Sequence, residues 1–460
     1  MCRYFKFSGV IFSILFFFNS VIAQDKKQAG GDMLLTLQEA VDFALKNSAD
    51  IKNAQIDIEI AKKKIWETTA IGLPQVSAKF AYQNIFKVPE MTMYSATPVF
   101  PIPGDYFTHT HKLDTMKLSL GVKENTTLDI TVSQIIFSGE YLVGIQASRT
   151  FKLLSEQGVL KAENEIRETV SGTYQLILIT GESKNILDSS LTNIMKILDE
   201  MEKMYKAGFI EDTDVDQLQL TALNLKNTIA SLERQIDVAK NLLKMQMGLS
   251  ADQNIILKDK LTDMLLTVDP NGFSSQSFDA ASNINMKLID TQEKLTKLNL
   301  RRYQSQCLPS VVAFYRHQEQ GKEPEFNFNP KDVLGISIEI PIFASGMRHA
   351  KQQQVKLELE KINNTKQKVS QALTIEYNQA LASFNAAVDK YNREKENNTL
   401  AKKIYDKTLV KYKKGVSSSL DLTQAQNQYL QTQSSFFQSM FEVLSAKNKI
   451  ERILAGSSGK

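Results

Sequence analysis

The chain is written twice, and no other feature limits its fold as much. Around Gly139 it reads Ile136-Phe137-Ser138-Gly139, and around Gly346 it reads Ile342-Phe343-Ala344-Ser345-Gly346. Tyr205-Lys206-Ala207-Gly208 is echoed by Tyr412-Lys413-Lys414-Gly415, and Asp214-Val215 by Asp421-Leu422, all at an offset of 207 positions. Leu73-Pro74 and Leu308-Pro309 repeat at an offset of 235. The copies therefore run without a gap from the Ser-Gly pair onward and differ in the loop just before it. Tandem copies of one long unit imply a pseudo-symmetric object rather than two independent domains.

Proline is segregated. None occurs between Pro103 and Pro270, and none follows Pro341. A helix interior excludes proline because the ring removes a donor and clashes with the preceding turn, so such gaps permit very long helices. Glu140 to Lys206 reads as one helix of about 67 residues, or roughly 100 Å, and Met347 to Lys413 as its twin. The return segments carry heptads. Leu218, Ala222, Leu225, Ile229, Leu232, Ile236, Ala239 and Leu243 alternate steps of four and three. Phe436, Met440, Val443, Ile450 and Leu454 follow the same rhythm, with Lys447 as the break, and Val355, Leu359, Ile362, Val369, Leu373, Phe384 and Tyr391 come close to it. Sustained heptads mean left-handed helix packing. The other faces, such as Asn224, Asn227, Thr228, Ser231 and Gln235, read either as a solvated coiled-coil surface or as the wall of a water-filled lumen.

Between Leu-Pro and Ser-Gly the period changes to two. Val76, Ala78, Phe80 and Tyr82 alternate with polar neighbours, as do Leu128, Ile130 and Val132, and Leu334, Ile336 and Ile338. Val311, Ala313 and Tyr315 alternate more loosely. This predicts two strands per copy. Four strands are too few to enclose an aqueous channel, so closure requires several chains. Pro74 to Gly139 spans 65 positions and Pro309 to Gly346 only 37. The extra length holds Pro89, Pro98, Pro101 and Pro103, and in an outer-membrane barrel a long loop belongs outside the cell.

The N-terminus reads as a secretory signal: Arg3 and Lys6, then an apolar run from Val10 to Phe18, then Val21-Ile22-Ala23 before Gln24. No stretch is long and apolar enough for a transmembrane helix, so an exported chain of this kind is soluble or enters a membrane as strands. Loss of the signal lowers the formal charge from +4 by the two cations Arg3 and Lys6, leaving no case for nucleic-acid binding. Of the two cysteines, Cys2 leaves with the signal and Cys307 remains alone, expected to be packed rather than reactive. The expected division is a signal at 1–23, a flexible lead at 24–33, a first repeat at 34–249, a linker at 250–278, a second repeat at 279–455 and a tail at 456–460. The first repeat holds strands at about 73–87 and 116–136 and a helical hairpin at 139–248. The second holds strands at about 308–318 and 332–343 and a hairpin at 346–455.

Export signal, tandem copies, Leu-Pro strand starts, Ile-Phe-Ser-Gly strand ends and Tyr-x-x-Gly…Asp hairpin tips together resemble the TolC-like outer-membrane efflux family, over nearly all of the mature chain. The resemblance implies an α+β membrane protein: a homotrimer whose twelve-stranded β-barrel, four strands from each chain, continues into a periplasmic α-helical barrel. It implies partners too, a periplasmic adaptor protein, an inner-membrane pump of RND, ABC or MFS type, and outer-membrane lipid. The family's gate maps onto Tyr412, Thr213, Asp214 and Asp421, with Tyr412 bonding the Thr213–Asp214 pair of a neighbouring protomer and Asp421 narrowing the aperture. The family's adaptor-docking tips map onto Tyr205, Ala207, Gly208, Phe209, Lys414, Gly415 and Val416. A gating arginine of the family falls on Ser417 and a second ring aspartate on Gln424, which implies a weaker latch and leaves a doubled acidic ring unsupported.

The tips also follow from local chemistry. Gly208 and Gly415 suit the left-handed position that ends a helix. Thr213 or Asp214, and Ser419 or Asp421, can cap the helices that follow. No enzyme motif is present: no G-x-S-x-G, no P-loop, no H-E-x-x-H. His109 and His111 sit in the inserted loop without the ligands a metal needs. His317 is expected at a barrel interface or lumen, His349 at a helix start, and Trp66 in packing or an interfacial belt. No cofactor is expected. Three functions remain: an outer-membrane exit duct, a periplasmic adaptor, or a secreted coiled-coil scaffold without a pore. Two hairpins in tandem with strand pairs at their far ends favour the duct. The cargo is not written in the sequence.

Overall fold

The computed structural model describes residues 32–96, 113–119, 121–266, 269, 272–273, 278–323, 327 and 329–455. The signal, most of the lead, the tail, and His109 and His111 lie outside these residues. The molecule is mostly helical with some sheet. Its elements are β1 (Met33–Leu35), α1 (Leu37–Asn47), α2 (Ala49–Ala70), β2 (Gln75–Asn84), β3 (Glu90–Ala96), β4 (Leu113–Ser119), β5 (Glu124–Phe137), α3 (Gly139–Lys206) and α4 (Asp212–Met247). After these come β6 (Ile255–Leu257), α5 (Leu261–Leu266), α6 (Ile284–Ser305), β7 (Ser310–Gln320), β8 (Asp332–Glu339), α7 (Met347–Lys413) and α8 (Ser419–Leu454). Moving α4 by 207 positions gives the bounds of α8, and moving α2 by 235 gives those of α6.

At 68 residues α3 is roughly 100 Å long, whereas the 36 residues of α4 span only about 54 Å. The remaining height is filled by α2, 22 residues and about 33 Å, which packs on the upper part of α3. The second copy stacks α6 above α8 in the same way. The packing partners fix a lateral order of four columns: α2 above α4, then α3, then α6 above α8, then α7. The heptads lie in the seams. Leu218, Ala222, Leu225, Ile229, Leu243, Leu373, Phe384, Val443 and Ile450 are all buried.

The main sheet has the order β2-β5-β7-β8, all antiparallel. Each strand joins the helix of its own column, so sheet and helices share one lateral order, and both end on open edges. The register aligns Val76, Val132, Tyr315 and Leu334 across the full sheet on one face. Val76, Phe80, Leu334, Ile336 and Ile338 on that face are largely exposed. The opposite face carries Gln75, Ser77, Lys79 and Asp129 together with Arg316.

Several boundaries differ from expectation. The strand expected at 116–136 is two strands. Only β5 joins the main sheet, while β4 pairs with β3 in a separate hairpin built from the inserted loop. The strand expected to reach 343 ends at Glu339, before Pro341, whose missing N–H cannot continue a ladder. Met33 of the expected lead belongs to β1, which pairs in parallel with β6 of the linker. The linker also holds α5. These segments knot the waist of the molecule. The buried Tyr174 hydroxyl of α3 donates to the Leu35 carbonyl at 2.9 Å, and Asp259 accepts the Leu37 N–H at 2.6 Å. Beside the knot, Asn448 Nδ2 donates to Gln175 Oε1 at 2.7 Å, joining α8 to α3. Arg452 holds Glu168 of α3 at 2.7 Å and Glu376 of α7 at 2.6 Å.

Cys307, expected to be packed, is exposed, because it lies in the turn between α6 and β7. Trp66 lies on α2 and is also largely exposed within the single chain. His317 Nδ1 lies 2.7 Å from Asp332 across the β7–β8 pair, and His349 sits exposed in the first turn of α7. Among the described residues no helix is long and apolar enough to cross a membrane.

Candidate functional site at the helical tips

The ends of α3 and α7 far from the sheet are built alike. Gly208 (φ 77°) and Gly415 (φ 72°) are left-handed, and nothing lies within 4 Å of where a Cβ would stand, so conformation alone selects glycine. The Phe209 N–H bonds the Met204 carbonyl and the Gly208 N–H bonds the Tyr205 carbonyl, each at 2.9 Å. The Val416 N–H to Lys411 and Gly415 N–H to Tyr412 bonds repeat the pattern at the same lengths. This double bond pattern is the Schellman stop. It leaves Tyr205, Phe209 and Val416 exposed at the extremity, with Ala207 and Lys414 beside them.

The caps fall ahead of where they were expected, by one position at Ser418 and by two at Glu211. Helix α8 is capped by Ser418, whose Oγ accepts the Asp421 N–H while Asp421 Oδ2 accepts the Ser418 N–H at 3.0 Å. Asp421 is thus the third helical residue of a capping box. It also accepts from the Ser417 hydroxyl at 3.1 Å. The Ser418 bonds, with Ser417 adding to them, hold its carboxyl below the usual range. Helix α4 follows Glu211, which makes no side-chain cap, and the Thr213 hydroxyl donates to Glu211 Oε2 at 3.4 Å.

Asp214 connects the two hairpins of one chain, because the buried Ser419 hydroxyl donates to its carboxylate. The Tyr412 ring packs into the cluster beneath, formed by Ile194, Met201, Val215, Leu218 and Leu422. Its hydroxyl oxygen is closed off within the chain and has no partner among the described residues. Burial, then Asp214, then Glu200 push its pKa up. The expected bond from Tyr412 to a neighbour's Thr213–Asp214 pair lies between protomers, beyond a single chain. The hydroxyl is sealed inside its own protomer, and the charge near it is its own Asp214. Sequence reasoning named Ser419 only as a possible cap and missed its bond to Asp214, and it missed the Tyr405–Tyr429 stack, with centroids 5.8 Å apart, just above the tip. Tyr405 lies one heptad before Tyr412, which was a readable signal; for Ser419 nothing in the sequence marked a partner 205 positions away.

Residues 299–456, from the end of α6 through α8, match the family model for outer membrane efflux proteins. No curated protein matches the chain. Among solved structures, the fold is shared with the Campylobacter jejuni CmeC outer membrane channel at a TM-score of 0.68 and 16% identity, covering 91% of this chain and 85% of that one. The outer membrane protein VceC of Vibrio cholerae gives 0.67 and 15%, covering 91% and 95%. The open state of the Neisseria gonorrhoeae MtrE outer membrane channel gives 0.66 and 15%, covering 91% and 88%. At these identities the likeness is one of fold.

Proposed function

We propose that the chain is the outer-membrane exit duct of a tripartite efflux or type I secretion system, with its helical part in the periplasm. The observation that carries this reading is the shared order of strands and helices, with β2 and the α2/α4 column open on one side and β8 and α7 open on the other. Three copies joined edge to edge form a twelve-stranded barrel continued by a barrel of twelve helical columns. The exposed apolar face of the sheet then meets lipid, since a monomer in water does not keep so large an apolar patch uncovered. The polar face of Lys79, Asp129 and Arg316 lines the pore. Tubes of this length reach across the periplasm toward an adaptor and an inner-membrane pump.

The tips serve as the periplasmic gate. Asp214 and Ser419 clasp the two hairpins of each protomer, Tyr412 packs beneath them, Thr213 stands beside Asp214, and Asp421 presents charge at the aperture. The exposed Tyr205, Phe209 and Val416, with Ala207, Gly208, Lys414 and Gly415, offer the adaptor a docking surface. Outer-membrane fractions extracted in detergent test the proposal. A heat-modifiable trimer that conducts in planar bilayers is expected, and a soluble periplasmic monomer overturns it.

A further inference from the structure

A pocket of about 600 Å³ lies between the two hairpins of one chain, on the sheet side of the Asp214–Ser419 contact. Helix α3 supplies its floor, and α4 and α8 supply its walls. Leu225 belongs to the apolar cluster under the tips, and Leu187 and Leu430 pack on that cluster. Above these leucines the walls carry amides and hydroxyls, among them Asn224 and Thr228 of α4 and Asn427 and Ser434 of α8. Part of the amide-rich stripe of α4 is therefore one wall of a pocket.

No residue lining this pocket is charged, in a chain where Asp, Glu, Lys and Arg make up 23%. A groove of about 610 Å³ between α3, α4 and β6 is built differently, with Glu182, Lys184, Glu233, Asp237 and Lys240 around it. A charged ligand entering the uncharged pocket gives up water without meeting a counter-charge. Helix α4 borders the pocket from Gln217 to Leu232, a length of about 22 Å, which leaves a mean cross-section of roughly 27 Å². That shape admits one flat or single-chain molecule lying along the helices. Its volume falls within the ~300–1,000 Å³ of small-molecule sites. Gln433 lines the pocket and is only 3% exposed. Its Nε2 reaches the Tyr429 hydroxyl at 3.4 Å, a long bond, and its Oε1 has no partner among the described residues. A buried carbonyl oxygen without a donor is costly, so turning this amide toward an N–H or O–H in the pocket is favoured.

We infer that this pocket binds one elongated, uncharged amphiphile. Its apolar body rests on Leu187, Leu225 and Leu430, and an N–H or O–H group donates to Gln433. The site goes beyond the exit-duct reading and does not depend on it, because every lining residue comes from one chain.

N-Phenyl-1-naphthylamine, which is flat, uncharged and carries one N–H, is the probe. Anilinonaphthalene sulfonate, the same ring system with a negative charge, is its control. Thr228→Cys and Ser434→Cys each place a thiol on one wall, and the exposed Cys307 is an internal reference outside the pocket. Alkylation of the detergent-extracted protein by N-ethylmaleimide is followed at each cysteine by mass spectrometry. The uncharged probe is expected to slow alkylation of both wall thiols several-fold, with saturation, and to leave Cys307 unchanged. The sulfonate is expected to give no protection, and Gln433→Leu to weaken protection by the uncharged probe several-fold. Alkylation unaffected by the uncharged probe, or protection that never saturates, refutes the site. Equal protection by both compounds refutes its uncharged character, and full protection in Gln433→Leu refutes the acceptor. A trimer that conducts in planar bilayers and shows no protection refutes this site alone, whereas a soluble monomer refutes the exit duct and leaves the protection result to decide the pocket.

Discussion

Removing the contact between Asp214 and Ser419 tests whether the two hairpins of a protomer move as one. A hydrogen bond to a charged group contributes about 1.5–3 kcal/mol. Asp214 is only half-buried and regains water when Ser419 is truncated, so the lower end, about 1.5 kcal/mol, is the reasonable figure. Each 1.4 kcal/mol is about a tenfold change in equilibrium, so Ser419→Ala should raise the open fraction of each tip about tenfold. Asp214→Ala should do at least as much, because it leaves the Ser419 hydroxyl buried without a partner. The double variant should be little worse than either single one, since both remove the same interaction. Single-channel recordings of the four proteins in planar bilayers form the cycle, and trypsin cleavage at Lys411, Lys413 and Lys414 reports tip opening independently. Strictly additive effects, or wild-type conductance in both single variants, would refute the clasp.

Tyr412→Phe should leave conductance near wild type, because it removes a buried hydroxyl that has no partner among the described residues of its own chain; a leaky channel would show that a neighbour supplies one. Asp421 has a depressed pKa, so its support for the first turn of α8 is present above the unfolded value near 3.8 and is lost as pH falls through the lower folded value. Hydrogen exchange at residues 419–422 should accelerate only in strongly acidic buffer, and Asp421→Ala should show that fast exchange at neutral pH together with weaker cation preference. Proline at Ala380, buried within α7, should cost about 3 kcal/mol or more and abolish heat-resistant oligomers on a denaturing gel. Tyr174→Phe should cost about 0.5–1.5 kcal/mol by removing one bond to the Leu35 carbonyl, which keeps the Lys258 N–H, read as earlier cleavage between β6 and α5 in limited proteolysis.

What the sequence determined by itself was local or periodic. Proline-free stretches and heptads mark α3, α4, α7 and α8 because helix length and the buried stripe depend on neighbours three and four positions away. The left-handed turns at Gly208 and Gly415 were legible because only glycine takes that conformation without strain. The two offsets, 207 and 235, already placed the difference between the copies in the loop between the Leu-Pro and Ser-Gly pairs. Tertiary structure alone decided which surfaces meet across hundreds of positions. The stacking of α2 on α4, the knot of β1 with β6, and the exposure of Cys307 all depend on neighbours that no local pattern names. The same holds at the tip. Tyr412, Asp214 and Asp421 could be singled out by their repeated motifs, but the Asp214–Ser419 clasp and the sealing of the Tyr412 hydroxyl exist only because two hairpins from one chain reach the same level side by side.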